Sequence, residues 1–453
     1  MVNDGQENNM TSAVYGTQRG LPMIDRAYRA YCYWKNHGTM ALQQIVYRKL
    51  ARKLQASSAK GGRDTGPKSP AQLARAHFEA LEPLLTFSIP ATGVRRVSIV
   101  TDSVASGSLF GGVGTALIFS ALLANELNAQ LRIITRTQRA QPQNIDHILS
   151  LYGIKLKHEV QFKFAAFFDK KYEVDVKEGD LFVTTSWWTT AATLPSVPRD
   201  SIIYLLQEDE RMFYPFGDER VRCEETLGNG DIRYLVNTKL LFDHLTGDGL
   251  GNIAAKGTWF EPAFPGAVFH SREKSTAQKK RFFFYARPNN ARNLFYVGIE
   301  VIERAIAEKV LDPAEWEICL VGKNIPAVVF DGGYVPKKFE NLTWSQYAEF
   351  AGTVDVGLSL MSTPHPSYPP LDLVASGAVV VTNRFGNKTD LSGYSRNLIC
   401  ADLERDALVE GLRSAVALAS NPQLREQNYR SNGLASDWQQ AFGGIIKQLS
   451  AQL

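Results

Sequence analysis

Arg287 and Arg292 stand five residues apart, directly after the apolar run RFFFYA (Arg281–Ala286). Where a strand hands over to a helix, two guanidinium forks at that spacing can grip a diphosphate. Their planar donors match phosphate oxygens, and the free N–H groups of a helix start reinforce the field. Lys323, just past the apolar run Trp316–Val321, supplies a third cation. The complementary pieces lie in Ser359–Asn383, which crosses a proline-rich loop between two apolar segments. Ser367 is small enough for backbone amides to approach a phosphate, and Tyr368 offers a flat face and a hydroxyl. Pro369 and Pro370 start a helix without wasting a donor. Asp372, expected in the first helical turn, is a carboxylate able to accept two hydroxyls of a ribose. Cations for phosphates and a carboxylate for a ribose read as a nucleoside-diphosphate pocket; a plain proline-capped helix between core strands is the competing reading.

A second group of reactive side chains sits in the first half. Glu208, Asp209 and Glu210 follow the apolar run Ile202–Leu206, and Phe213, Tyr214 and Pro215 come next as a possible wall against water. Acidic residues at the C-terminal end of a strand occupy the loops that face ligands in open α/β sheets. Glu208 or Asp209 could orient an acceptor hydroxyl or take its proton. The loop Gly111-Gly112-Val113-Gly114 can bring backbone amides against a phosphate or sugar, although it lacks full GxGxxG spacing. Ser186-Trp187-Trp188 could form a sugar-stacking platform or simply pack.

Those residues need strand ends to hold them. Strands are expected at Val97–Thr101, Leu131–Thr135, Gln161–Phe167, Asp180–Thr184, Ile202–Leu206 and Tyr234–Val236, with helices between. The alternation resumes at RFFFYA, with a helix over Asn293–Lys309 and strands at Trp316–Val321 and Asp355–Leu360. The fold class is therefore α/β, with two doubly wound Rossmann-like domains facing a cleft and an N-terminal helical extension. Residues 1–94 form a basic, partly helical extension with a linker. An acceptor domain spans 95–270 and a donor domain 271–430, and residues 431–453 are a helix crossing back to the first domain.

Composition narrows the partners. The net charge is +4, but residues 1–75 hold twelve Lys and Arg against four Asp and Glu, so the remainder is net acidic. No broad basic face argues for nucleic acid. The four cysteines show no CxxC spacing, and no metal site or cofactor is expected. The chain reads as cytoplasmic, with neither a membrane span nor a signal-peptide pattern. Leu42, Ile45, Val46, Leu50 and Leu54 recur at helical spacing among Arg48, Lys49, Arg52 and Lys53. Such a helix can rest peripherally on an anionic inner-membrane face, or dock on a protein through its apolar stripe.

With these motifs in hand, the chain resembles a GT-B glycosyltransferase of glycosyltransferase family four. Ala286-Arg287 through Arg292-Asn293 match that family's phosphate-binding pattern, with Arg in place of Lys. Its Glu-x7-Glu motif is matched at Pro369-Pro370-Leu371-Asp372 and Gly377. Asp372 is shorter than the usual Glu, and Pro364 occupies the first Glu position. More narrowly, FYARP, HPSYPPLDL, QEDERMFYPFG, TWFEPAFPG and LFGGVGTAL together are similar to WsaF-type rhamnosyltransferases over residues 95–453. The resemblance implies transfer of L-rhamnose from dTDP-L-rhamnose to a rhamnose-containing glycan or lipid-linked acceptor, with retention and without a metal. It implies catalytic roles for Glu208, Asp209 and Arg287. Donor binding would fall to Gly111, Gly112, Arg287, Arg292, Lys323, Ser367, Tyr368 and Asp372. Another UDP- or GDP-sugar, or a non-catalytic glycan-binding GT-B protein, remain the alternatives.

Overall fold

Short apolar strands buried on both faces assemble into parallel sheets when each is followed by a crossover helix. Two such sheets form here. A computed structural model describes residues 67–105, 111–169, 171–272 and 279–452. The basic amphipathic stretch Leu42–Leu54 and its proposed membrane contact lie outside the described residues. The first sheet contains β2 (Arg96–Thr101), β3 (Gln130–Thr135), β4 (Gln161–Phe164), β6 (Leu181–Thr184), β7 (Ile202–Leu206), β8 (Arg233–Asn237) and β9 (Gly257–Phe260). It runs β4-β3-β2-β6-β7-β8-β9, all parallel. A short parallel pair, β1 (Thr86–Ser88) with β5 (Val174–Val176), stands beside it.

The second sheet contains β10 (Lys280–Ala286), β11 (Trp316–Gly322), β12 (Lys337–Glu340), β13 (Val356–Leu358), β14 (Val379–Asn383) and β15 (Leu398–Ala401), in the order β12-β11-β10-β13-β14-β15. It too is entirely parallel. The short strands β1, β5, β9, β12 and β15 were not expected from the sequence. They are edge or accessory strands, whose half-exposed positions carry a weaker apolar signal than the central runs.

Strand order reverses between β2 and β6 in the first sheet and between β10 and β13 in the second. Loops leaving such neighbours diverge to opposite faces, which opens a crevice at the C-terminal edge. In the second domain those loops are Arg287–Arg292 and Ser359–Ser367. The topology thus brings together two motifs some seventy residues apart, and the Ser362 amide donates to the Arg292 carbonyl at 2.8 Å.

The chain's last helix, Trp438–Gln452, packs on the first domain. Phe442 lies 5.2 Å from Phe119 and 4.7 Å from Phe260, ring to ring, inside the first-domain core. Among the described residues no helix is long and apolar enough to cross a membrane.

Candidate donor site between the two domains

The second domain's strand ends set up the cations. Ala286 pairs with Gly322 across β10 and β11, so Arg287 and Lys323 follow on neighbouring strands. Gly322 is required there, because a Cβ would lie 1.9 Å from the Ala286 carbonyl oxygen. Arg287 donates to the Tyr285 hydroxyl at 3.1 Å. Arg292 reaches the other way. Its Nη1 lies 3.3 Å from Glu208 of the first domain, and its guanidinium stacks 4.4 Å from the Phe213 ring centre.

The helix Tyr368–Ala375 begins at the loop opposite. Ser367 caps it with φ 72° and ψ 146°, a conformation that a side chain rarely adopts. Its Oγ is buried and has no hydrogen-bond partner. Asp372 sits in the second turn, not the first as expected, because the helix starts at Tyr368. Its Oδ2 accepts from the Tyr347 hydroxyl at 3.1 Å, while Oδ1 is buried without a partner. Burial pushes its pKa well up, and the Tyr347 bond offsets this only in part.

Tyr368 does not keep its hydroxyl within the second domain. It bridges to the first domain, 2.7 Å from Thr115 Oγ1 and accepting from Asn237 Nδ2 at 3.0 Å. Gly111 turns at φ 67° directly against the Tyr368 ring, 3.6 Å from where its Cβ would be. The Gly112 carbonyl accepts from Gln207 Nε2 at 2.5 Å. The glycine loop therefore abuts the tyrosine loop across the cleft.

The three consecutive acids have three separate fates. Glu208 reaches the cleft, accepting from the Thr363 hydroxyl and facing Arg292. Burial raises its pKa, and Arg292 pulls it back. Asp209 does not fit the role of proton acceptor. Burial opposes its ionisation, but hydrogen bonds from His244 and Arg211 hold its carboxyl down at about 2. Asp209, His244 and Asp248 could together hold a metal ion. Arg211 Nη2 already lies 2.7 Å from Asp209 and 2.8 Å from Asp248, and its charge offsets one of the two.

Glu210 turns inward and accepts from the Trp187 amide at 2.6 Å, at the start of helix Trp187–Thr193. Burial pushes its pKa up to about 8. A carboxyl raised on folding stays protonated in the native state while the unfolded chain ionises. Stability from this group is therefore lost as pH rises from about 4.5 to about 8. Glu210→Gln keeps the acceptor and removes the titration. Its melting temperature should gain on the wild type progressively across that window, and parallel melting curves would refute the assignment.

The tryptophans pack. Trp187 is buried and donates to the Tyr214 hydroxyl at 3.0 Å, and Trp188 donates to Asp102 Oδ2 at 2.8 Å. Two residues that sequence reasoning passed over stand in the cleft instead. Lys388 is 0% exposed and donates to the Met361 carbonyl at 3.2 Å. Burial lowers its pKa to about 8. His365 is 2% exposed, and its Nδ1 accepts from the Ser367 amide at 2.9 Å. Burial, with Lys388 and Arg292 nearby, lowers its pKa to about 3, so the ring is neutral. The available signal was position: Lys388 follows the apolar run AVVVTN, and His365 lies within the proline loop.

Five buried polar atoms without hydrogen-bond partners line the facing strand ends. They are Gln207 Oε1 and Asn237 Oδ1 on the first domain, with His365 Nε2, Ser367 Oγ and Asp372 Oδ1 on the second. Buried polar groups are nearly always satisfied, so such a concentration marks a place for a polar ligand.

The comparisons with known proteins bear on family and fold. Residues 96–238 match the model of the WsaF N-terminal domain, and residues 280–413 match that of the WsaF C-terminal domain. The chain belongs to the WsaF family. The first matched block spans β2 to β8, and the second spans β10 to β15. The chain is also 32% identical over 280 residues to the O-antigen biosynthesis protein RfbC of Myxococcus xanthus. That match covers 60% of this chain and 20% of RfbC, so the chain spans about a fifth of that relative. Among solved structures, sucrose-phosphate synthase from Thermosynechococcus elongatus aligns with TM-score 0.54 and 11% identity, covering 79% of this chain and 100% of that one. HepE of Anabaena, in complex with UDP-glucose, aligns with TM-score 0.52 and 13% identity, covering 79% and 99%. The fold of this WsaF-family chain is GT-B.

Proposed function

We propose that this protein is a glycosyltransferase that moves L-rhamnose from dTDP-L-rhamnose onto a growing surface polysaccharide, with retention of configuration. The observation that carries the reading is the convergence of unpartnered buried polar atoms with Arg292 and Lys388 at the facing strand ends. Membership of the WsaF family and the likeness to RfbC, named for O-antigen biosynthesis, support the polysaccharide context. The choice of rhamnose rests on the WsaF-type motifs. Pro364, where related enzymes place a carboxylate, is compatible with a 6-deoxy sugar.

In this reading Asp372 receives the ribose hydroxyls, and Arg287, Arg292 and Lys323 hold the diphosphate. As the bond from the anomeric carbon to the phosphate oxygen breaks, charge grows on that oxygen. Fixed guanidinium groups in a water-poor cleft stabilise that charge, usually the largest contribution to such catalysis. The acceptor hydroxyl forms the new bond on the same face. Its proton passes to the departing phosphate or to Glu208, which stands on the first domain opposite Arg292. The cluster of cationic side chains would take the place of a metal, so EDTA should leave turnover unchanged.

The test is donor hydrolysis and transfer by the full chain, offered dTDP-L-rhamnose, UDP-glucose and GDP-mannose in turn. Release of dTDP with α-configured product from an α-linked donor (or β from β) is expected. Release of UDP or GDP alone would replace the donor. Turnover of none of them, and no transfer to rhamnose-rich oligosaccharides, would leave a glycan-binding protein.

A further inference from the structure

His365 carries a feature that the proposed chemistry above does not use. Its Nδ1 accepts the Ser367 amide at 2.9 Å, so the neutral ring must bear its proton on Nε2. That N–H is buried and has no partner. Leaving such a donor unsatisfied is costly, so a buried one at a cleft marks a place where a ligand atom can meet it. The segment holding it is pinned from both sides, once by the Lys388 ammonium and once by the Arg292 backbone. Lys388 donates to the Met361 carbonyl, and the Arg292 carbonyl accepts from the Ser362 amide. A neutral donor set among positive charges suits an oxygen that is negative, more than a hydroxyl that must also find an acceptor for its own proton. Ser367 Oγ, two residues on, is a second buried polar group without a partner, at the start of the Tyr368–Ala375 helix.

We propose that His365 is a leaving-group residue, whose fixed Nε2–H donates to an oxygen of the sugar-proximal phosphate of a nucleoside diphosphate. The proposal rests on the nucleotide-sugar reading of the cleft and names a contact within it. The Ser367 amide sets the ring's tautomer, and the strained Ser367 backbone sets the ring's place. As the phosphate takes on charge during departure, the bond from Nε2 strengthens, so the same contact that binds the product also favours the transition state.

Calorimetric titration of the full chain with dTDP, UDP and GDP identifies which diphosphate binds, and the matching monophosphate is titrated alongside. In His365→Asn the side-chain oxygen replaces Nδ1 as acceptor for the Ser367 amide, and the outer N–H disappears. Affinity for the diphosphate should fall roughly 10–100-fold, the effect of losing one hydrogen bond to a charged group. Affinity for the monophosphate and the melting temperature of the unliganded chain should stay at wild-type values. His365→Gln returns an N–H near the Nε2 position and should recover most of the loss, whether or not His365→Asn melts lower. Diphosphate binding by His365→Asn within about twofold of wild type overturns the proposal. So does an equal loss for the monophosphate, or a loss seen only when the sugar is attached. If the wild type binds none of the three diphosphates, the nucleotide-sugar reading falls and this contact falls with it.

Discussion

Arg292→Ala should lower the single-turnover transfer rate by roughly 10²–10³-fold, about 3–4 kcal/mol in the barrier, the loss seen when a preorganised charge-stabilising donor is removed. Arg292 is held by stacking on Phe213 and lies 3.3 Å from Glu208, with 17% of each side chain exposed. Truncation therefore does two things. It removes charge from the proposed phosphate position, and it strands a largely buried carboxylate that burial already drives toward protonation. The two effects separate in the double variant Arg292→Ala with Glu208→Gln, which regains stability without regaining the charge. Melting temperature should recover in the double variant while transfer stays low. Arg292→Lys should fall between, because it keeps the charge and loses the planar fork. A folded Arg292→Ala protein turning over within about threefold of wild type would remove Arg292 from the reaction.

The second large effect concerns stability. Phe442→Ala should cost about 3–5 kcal/mol, the usual range for deleting a fully buried phenyl ring. Phe442 is 0% exposed and stands among Phe119, Phe260 and Trp438, whose ring lies 5.4 Å away in a stacked arrangement. The helix carrying it joins the first-domain core although it follows the second domain in the chain. Loosening it should also weaken the coupling between domains. Urea unfolding of Phe442→Ala should show a lower midpoint, with first-domain fluorescence lost before second-domain hydrogen-exchange protection. A midpoint shift worth less than about 1 kcal/mol would mean that the helix is an appendage.

Bridges across the cleft give the two domains a definite closed arrangement. Besides Glu208 with Arg292 and Thr363, and Tyr368 with Thr115 and Asn237, Asn387 donates to the Leu240 carbonyl at 2.8 Å and Tyr394 donates to Glu261 at 2.8 Å. Glu261 belongs to the TWFEPAFPG stretch, so that motif links the halves as well as ending the first sheet. A donor entering between Arg292 and Glu208 would exchange one anion for another at the same guanidinium.

The residue order by itself determined the alternating strands and helices, the two doubly wound halves, the placement of Arg287 and Arg292 just past a strand, and that of Ser367 at a helix start. Those features follow from local rules: apolar runs of strand length, prolines at a helix start, and loops that must leave a parallel sheet at its C-terminal edge. Only the tertiary structure decided which of Glu208, Asp209 and Glu210 faces the cleft, that Tyr368 spends its hydroxyl on the other domain, and that Lys388 and His365 are buried near Arg292. The physical reason is range. A strand end fixes where its loop begins, but three successive acids leading into a short 3-10 turn point in three directions. What each meets is supplied by residues as distant as Thr363, 155 positions from Glu208. Burial, and with it the charge state of every group in the cleft, exists only once those distant surfaces have closed on one another.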